Sequence, residues 1–192
     1  YTYGENYPLL TSDIVDVLSL YKDGDVVVDI SDTSFVNYSA VSATGFAYGG
    51  AIYNTGKITN GIINSQFIGN YISSVNSNVV NQSYVSYGGA IMQNGTRFAI
   101  TNSVFKDNYA GGYATGYGGA LYGGYTDITG TLFEGNYVFS TTTDTSRGGA
   151  IYGYATNITD TIFRNNGIRN SAGSSKYGGA IYTKIGRASC RE

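Results

Sequence analysis

Carboxylates are the side chains of this sequence that could do hydrolytic chemistry, because histidine is absent from its 192 residues. Without histidine, Ser–His–Asp and Cys–His constellations and histidine-based metal sites are excluded. Glycoside hydrolysis needs two carboxyl groups about 5–9.5 Å apart across one sugar. The acids of the repetitive region are scattered, and no two share a repeat position: Asp107, Asp127, Glu134, Asp144 and Asp160. We therefore expect no catalytic residues, no cofactor site and no enzyme.

A second group of acids lies near the beginning of the chain. Seven of the 13 acids precede residue 33: Glu5, Asp13, Asp16, Asp23, Asp25, Asp29 and Asp32. Oxygen ligands suit calcium, but Asp23-Gly24-Asp25 has neither the EF-hand spacing nor that of glycine-rich calcium repeats. We interpret these acids as a solvated acidic end and expect no metal there, with a calcium site as the alternative.

The composition separates this chain from helical, disordered and nucleic-acid-binding proteins. It is rich in glycine (28) and tyrosine (20), and only 12 % of residues are charged. Aromatic and β-branched residues favour strands over helix or disorder. The formal charge of −2 provides no basic stripe, so nucleic acid is not an expected partner.

The two ends of the sequence lack the repetitive pattern. The chain starts at Tyr1 without a signal-like segment, and it has no run of 18 apolar residues. We expect a fragment of a longer protein: a single array over 1–184, in which 1–27 form a weakly patterned coil or edge. Residues 185–192 resemble a translated sequencing adapter, so this tail and its Cys190 are excluded from the fold.

A four-residue motif, Gly-Gly-Ala followed by Ile or Leu, recurs five times in the chain. The successive intervals are 39, 30, 30 and 30 residues. A fixed period of this size predicts one supersecondary unit stacked on copies of itself. The copies are Gly49, Gly50, Ala51 and Ile52; Gly88, Gly89, Ala90 and Ile91; Gly118, Gly119, Ala120 and Leu121; Gly148, Gly149, Ala150 and Ile151; Gly178, Gly179, Ala180 and Ile181.

A second motif, Phe-x-x-Asn, lies between the glycine motifs. Its four complete copies are Phe67 and Asn70, Phe105 and Asn108, Phe133 and Asn136, and Phe163 and Asn166. An isoleucine stands five residues before each phenylalanine, so both side chains face inward only if the strand bends between them. We place that bend at Asn64, Asn102, Gly130 and Asp160. Three short strands per repeat predict a parallel β-helix of about five to six coils, each of about 30 residues.

Stacked coils bring equivalent side chains into ladders. We expect interior ladders of phenylalanine and of the isoleucine or leucine residues, and an amide ladder of the asparagines. The paired glycines predict either a positive φ or a close contact between coils.

The alternation of the two motifs resembles the repeats of chlamydial polymorphic outer-membrane proteins and of similar adhesin-like proteins. The resemblance covers about residues 28–184. It implies an all-β, right-handed, single-stranded parallel β-helix of the pectin-lyase-like type. It also implies an extracellular or outer-surface passenger that works in adhesion. The alternative is the scaffold of a β-helix lyase or glycoside hydrolase whose catalytic coils lie elsewhere.

The segments that follow each asparagine vary in length and are predicted to be loops on one face. The longest is 71–87, and we expect Tyr71, Tyr84 and Tyr87 to contact a protein or glycan of a host or neighbouring cell. End-to-end self-association is also expected, because terminal coils expose sheet edges. Tyrosines flank the glycine motifs, and the set that follows is expected to point outward: Tyr53, Tyr122, Tyr152 and Tyr182. Such a stack either stabilises the sheet or binds a ligand.

Overall fold

The protein is an all-β solenoid in the computed structural model. The structure describes residues 29–42, 45–55, 61–74, 85–94, 97–113, 115–141, 145–154, 157–170 and 175–184. Every element in these ranges is a strand, and strands of equivalent position in successive coils pair in parallel. The predicted N-terminal coil or edge over 1–27 and the predicted tail over 185–192 lie outside the described residues.

Each coil contributes one short strand to each of five sheets, which we name A to E in chain order. Sheet A consists of β1 (Asp29–Ser31), β6 (Gly61–Ile63), β11 (Phe98–Thr101), β16 (Thr126–Thr129) and β21 (Asn157–Thr159). Sheet B consists of β2 (Ser34–Val36), β7 (Gln66–Ile68), β12 (Val104–Lys106), β17 (Leu132–Glu134) and β22 (Ile162–Arg164). Sheet C consists of β3 (Ser39–Ser42), β8 (Tyr71–Ser74), β13 (Tyr109–Gly112), β18 (Tyr137–Ser140) and β23 (Gly167–Asn170).

The last two sheets flank the glycine motif. Sheet D consists of β4 (Ala47–Tyr48), β9 (Val85–Tyr87), β14 (Thr115–Tyr117), β19 (Ser146–Arg147) and β24 (Lys176–Tyr177). Sheet E consists of β5 (Ile52–Asn54), β10 (Ile91–Gln93), β15 (Leu121–Gly123), β20 (Ile151–Tyr154) and β25 (Ile181–Lys184).

The parallel solenoid predicted from the repeat is confirmed, but the predicted number of strands per coil was wrong, and the number of coils differs slightly. Each described coil has five strands instead of three, because the segments assigned to variable loops begin and end as strands of sheets C and D. The described residues make about four turns, slightly fewer than the five to six coils expected. Part of that expectation fell on 1–27.

Two left-handed turns bend each coil around sheet B. The first lies at the positions predicted for the bend, where Asn64, Asn102, Gly130 and Asp160 have φ of 49°, 48°, 60° and 48°. The second follows two residues after each phenylalanine, for example at Asp107 with φ of 55°. Glycine, asparagine and aspartate tolerate this backbone region better than other residues. These turns let the isoleucine of sheet A and the phenylalanine of sheet B face the same interior.

The interior is filled by ladders in which equivalent side chains are in register. Phe67, Phe105 and Phe133 are fully buried, and neighbouring rings stack with centroids 4.7–5.0 Å apart from Phe67 to Phe163. The sheet E ladder of Ile52, Ile91, Leu121, Ile151 and Ile181 and the sheet A ladder of Ile62, Ile100, Ile128 and Ile158 run beside it. Ala90, Ala120 and Ala150 complete this core. A smaller core of Ala47, Ile72, Ala110 and Val138 lies between sheets C and D.

The asparagines form a continuous amide ladder at the corner between sheets B and C. The Nδ2 of Asn108 donates to the Phe67 carbonyl oxygen and to Oδ1 of Asn136, both at 2.9 Å. The same Oδ1 of Asn136 accepts the backbone N–H of Asn108 at 3.0 Å. The pattern recurs from Asn70 to Asn166, so each fully buried amide joins two neighbouring coils.

The two glycines of the motif have different roles in the corner between sheets D and E. Gly118 has a φ of +66°, a region that side chains other than glycine rarely adopt. Gly119 has no positive φ, but a Cβ there would lie 2.1 Å from the Gly149 carbonyl oxygen of the next coil. The first glycine therefore makes the turn, and the second allows coils to approach.

Candidate interaction face

The glycine corner brings two tyrosines of each repeat together on the outside of the solenoid. One stands at the end of the sheet D strand and the other in the sheet E strand after the corner, as with Tyr48 and Tyr53, whose rings are 5.1 Å apart. Because coils stack in register, each position becomes a ladder along the solenoid. The two ladders lie side by side.

The sheet D ladder is aromatic except at one coil. Its members, in register, are Tyr48, Tyr87, Tyr117, Arg147 and Tyr177. The rings of Tyr48 and Tyr87 stack at 5.5 Å with an angle of 8° between their planes, and Tyr87 and Tyr117 are also 5.5 Å apart. Phe46 extends this aromatic surface beyond Tyr48, 6.2 Å from its ring.

The sheet E ladder consists of Tyr53, Met92, Tyr122, Tyr152 and Tyr182. Its tyrosines point away from the main core, as predicted, but Tyr152 is only 4 % exposed. The covering groups are sheet D side chains of the preceding coil: Tyr87 lies 4.8 Å from Tyr122, and Tyr117 lies 5.0 Å from Tyr152. Tyr122, Tyr152 and Tyr182 form the expected outer stack, but within it the ring of Tyr152 is covered. We call the ten side chains of these two ladders the tyrosine face.

Burial raises the pKa of several phenols of this face. Desolvation is the main cause for Tyr48, Tyr87, Tyr122 and Tyr152, and neighbouring phenols add to it. The hydroxyl groups consequently remain protonated at neutral pH, where they can both donate and accept hydrogen bonds. Beside these four neutral phenols, the face carries one cation.

That cation, Arg147, is held by aromatic rings. The central carbon of its guanidinium group lies 5.5, 5.6 and 5.4 Å from the ring centroids of Tyr117, Tyr177 and Tyr182. Its Nη1 donates a long hydrogen bond of 3.4 Å to the Tyr117 hydroxyl group, and its buried Nε has no hydrogen-bond partner. Cation–π attraction therefore replaces ring stacking at this coil.

A second aromatic ladder lies outside sheet C. Tyr71, Tyr109 and Tyr137 stack with centroids 4.8 and 5.1 Å apart, and Arg169 lies 3.9 Å above the Tyr137 ring. Burial raises the pKa of Tyr109 to about 12. Because these ring faces contact one another, they are not free to stack on a ligand.

The predicted contact segment 71–87 is thus divided between a described and an undescribed part. Tyr71 lies in β8 of the sheet C ladder, and Tyr87 lies in β9 of the tyrosine face. Tyr84 lies outside the described residues. Among the three residues proposed for contact, the structure places Tyr71 and Tyr87 in different sheets.

The carboxylates considered for catalysis occupy separate outer surfaces. Asp127 pairs with Arg97 and accepts a hydrogen bond from Asn157, and the hydrogen bond from Arg97 lowers its pKa. Glu134 on sheet B lies between Lys106 and Arg164, at 4.0 and 2.9 Å. These pairs link successive coils across sheets A and B.

The remaining acids do not form a described constellation. Asp107 and Asp160 occupy left-handed turns, whereas Asp144 lies outside the described residues. Within the described ranges, no three His, Cys, Asp or Glu side chains lie together as a metal site would require. Most of the N-terminal acids considered for calcium also lie outside these ranges. The described part of the chain has no helix with the length and apolar character of a membrane span.

Sequence reasoning missed one further polar ladder. Ser65, Ser103 and Thr131 each donate their hydroxyl hydrogen to the carbonyl oxygen two residues before, at 2.8–3.0 Å. Each hydroxyl oxygen also accepts a backbone N–H from the preceding coil, as from Ser65 to Ser103. The sequence signal for this ladder is a serine or threonine two positions before each phenylalanine of sheet B.

Comparison with known proteins identifies the type of repeat. The family model of the Chlamydia polymorphic membrane protein repeat matches residues 130–154. This segment contains Phe133, Asn136, both glycines of the fourth motif copy and Arg147. No curated protein and no solved structure matches the chain. The chain therefore carries a repeat of the Chlamydia polymorphic membrane protein type, built into a parallel β-solenoid.

Proposed function

We propose that this chain is part of an adhesin-like passenger displayed at the cell surface or outside the cell. The observation that carries the proposal is the polymorphic membrane protein repeat at 130–154 within a β-solenoid. The coils act as a non-catalytic scaffold, and their outer faces bind a ligand of a host or neighbouring cell.

The interior supports a scaffold role because its contacts repeat from coil to coil. The phenylalanine and asparagine ladders join every described coil to the next through rings and buried amides. Each added coil lengthens such a solenoid by the strand spacing of about 4.8 Å. A rigid rod of this kind holds surface residues at fixed separations.

The tyrosine face supports a binding role because of its chemistry. Tyrosine combines a large apolar area with a hydroxyl group, and it is enriched in protein interfaces. Tyr177 is 47 % exposed and Phe46 is 49 % exposed, so aromatic surface reaches solvent at both ends of the sheet D ladder. The outer faces of sheets A and B, by contrast, are occupied by cross-coil ion pairs.

Two further expectations about partners stay predictions. The absence of a basic stripe argues against nucleic acid as a partner. We also expect end-to-end association, since Phe163 and Ile158 of the last described coil are only partly buried while their equivalents Phe133 and Ile128 are buried.

An adhesion assay tests the proposed function. Beads coated with the full chain should bind cultured epithelial cells, and soluble chain should compete. The variant Phe46→Ser/Tyr87→Ser removes one aromatic ring of the tyrosine face and the Phe46 ring that extends it, and should lower bead binding severalfold. The matched control is Ile162→Ser, since Ile162 is 61 % exposed on sheet B and outside this face.

Two outcomes would contradict the proposal. Beads that bind no better than uncoated beads would remove the adhesive role. Release of new reducing ends or unsaturated sugars from a panel of polysaccharides would favour the alternative, a carbohydrate-active scaffold.

A further inference from the structure

Arg147 is the one position where the tyrosine face changes from a neutral side chain to a charged one. Its register partners are Tyr117 in the preceding coil and Tyr177 in the following coil. The rings of these two residues, with Tyr182, lie within 5.6 Å of the guanidinium carbon. The planar group is thus packed among three aromatic rings, which restricts its freedom before a ligand binds.

The hydrogen-bonding capacity of this guanidinium group is largely unused. It has five N–H donors, of which the structure pairs Nη1 with the Tyr117 hydroxyl group at 3.4 Å and leaves the buried Nε unpaired. Among the described residues, no carboxylate forms an ion pair with Arg147. Arg97 and Arg164 differ, because each contacts a carboxylate of a neighbouring coil.

The phenol of Tyr152 does not neutralise the charge. Burial is the main cause that raises the pKa of Tyr152, against the opposing effect of Arg147, so this group stays neutral near the cation. The Nε–H of Arg147 is buried, so a carboxylate would pair with the N–H groups of the two Nη atoms. The site therefore favours an anionic group with an oxygen pair.

The surroundings of Arg147 indicate how many negative charges the ligand carries. Lys176 lies in register with buried Ser146, on the other side of the strand from Tyr177. The ladder positions next to Arg147 are tyrosines, one strand spacing of about 4.8 Å away on either side. A polyuronate or a sulfated chain running along the solenoid would place further anions over these neutral phenols. A ligand with a single carboxylate fits better.

The uncharged part of the ligand must fit the tyrosine side chains around Arg147. Half-exposed Tyr177 offers an aromatic edge and a hydroxyl group beside Arg147, which suit the C–H face and the hydroxyl groups of a sugar. We propose that Arg147, with Tyr117, Tyr177 and Tyr182, binds the carboxylate-bearing terminal sugar of a sialylated glycan. This inference deepens the proposed function, on which it rests, by naming the ligand class of the tyrosine face.

Saturation-transfer NMR with the full chain tests this site directly. The probe is 3′-sialyllactose, and lactose is the matched neutral ligand. We expect saturation transfer to the sialic acid protons and none to lactose. Arg147→Tyr places the ladder's own residue in the site and should raise Kd by about tenfold or more. Arg147→Gln is the second variant, in case the first alters packing, and circular dichroism checks both folds.

The matched control is Arg169→Gln, which removes another arginine that lies over a tyrosine, outside the tyrosine face. Its Kd should stay within about twofold of the unaltered protein. Equal binding of lactose, unchanged binding by both Arg147 variants, or no binding of sialyllactose at millimolar concentration would each overturn the inference.

Sialidase treatment of the cells separates this inference from the proposed function. If coated beads adhere equally to treated and untreated cells, adhesion stands and the sialic acid site is wrong. If the chain binds sialyllactose with Arg147 but the beads do not adhere to untreated cells, the site stands and the adhesive role is wrong.

Discussion

The phenylalanine ladder of sheet B and the tyrosine ladder of sheet D are both aromatic columns, but they tolerate change differently. All five described strands of sheet B carry a phenylalanine that faces inward, from Phe35 to Phe163, with ring planes within 8° of parallel. The outer ladder contains an arginine, and its neighbour on sheet E contains Met92. The phenylalanine column is enclosed on all sides, and its ring fills the same space in each coil. An outer column is closed on one side only, so its residues can change while contact is kept.

The largest expected effect lies at the corner where interior and outer ladders meet. Gly119→Ala would place a Cβ 2.1 Å from the Gly149 carbonyl oxygen and 2.5 Å from that of Tyr137, and backbone atoms cannot yield as side chains do. We expect a loss of more than about 4 kcal/mol in the free energy of unfolding, above the usual cost of overpacking. Urea denaturation followed by circular dichroism measures it.

The same repeat position supplies the control for this prediction. A Cβ at Gly179, in the last described coil, would meet nothing within 4 Å. Gly179→Ala should therefore leave stability nearly unchanged. Equal destabilisation by the two substitutions would show that coil-to-coil approach is not what requires the second glycine.

Loss of an interior ring comes next in size. Phe133 is fully buried between Phe105 and Phe163, at 4.8 and 5.0 Å. Phe133→Ala removes one ring, breaks two stacking contacts and leaves a cavity, so it should lower the free energy of unfolding by about 3–5 kcal/mol. Thermal and urea unfolding check the value. A cost below about 1 kcal/mol would mean that the interior collapses around the change as freely as the surface does.

Breaking the amide ladder should cost somewhat less. Asn108→Ala removes the donors to Phe67 and Asn136 and the acceptor for Asn70, leaving buried backbone groups unpaired. We expect a loss of about 2–4 kcal/mol, measured by urea denaturation. Asn94→Ala is the control, because Asn94 is exposed outside the ladder. Similar losses in both variants would contradict a special role of the buried amides.

The sequence predicted the inner ladders better than the strands of sheets C and D, for a physical reason. Each phenylalanine and asparagine has the same surroundings in every coil, so the same residue type recurs in each repeat. The sheet C strands bury a different apolar residue in each coil, such as Ile72, Ala110 and Val138, and read as variable loops. An apolar residue nevertheless stands two positions after each asparagine of the ladder. A search for identical residues misses this signal, because the residue type changes from coil to coil.

The tyrosine face was predictable only in part for a related reason. Alternation along β20 correctly directs Tyr152 away from Ile151 and the main core. It cannot predict that Tyr117 of the preceding coil covers this ring. That contact depends on the sharp glycine corner, which places sheets D and E side by side. Arg147 could be found in the sequence only by noting which repeat lacks a tyrosine before Gly148.

Removal of an outer ring should cost less than removal of an inner one. Tyr87 contacts Tyr48, Tyr117 and Tyr122 but is only partly buried. Tyr87→Ala should lower the free energy of unfolding by about 1–2 kcal/mol. The same denaturation experiment allows direct comparison with Phe133→Ala. A cost equal to that of the inner variant would erase the distinction between the two ladders.

The outer ladders differ from the inner one in a further property, since their phenols titrate. Burial raises the pKa of Tyr109 to about 12, whereas a tyrosine in the unfolded chain titrates near 10. A raised pKa in the folded state means that the protonated phenol stabilises the fold. This contribution is complete below pH of about 10 and is lost as pH rises towards about 12.

Melting temperature measured between pH 9 and 12, with phenolate absorbance recorded in parallel, tests this pH dependence. The melting temperature should fall above a pH of about 10. Tyr109→Phe keeps the ring in its ladder without the titrating group, so its decline should be shallower. Tyr125→Phe is the control, because Tyr125 is 54 % exposed. If Tyr109→Phe declines as steeply as the unaltered protein, desolvation of this phenol does not couple its ionisation to folding.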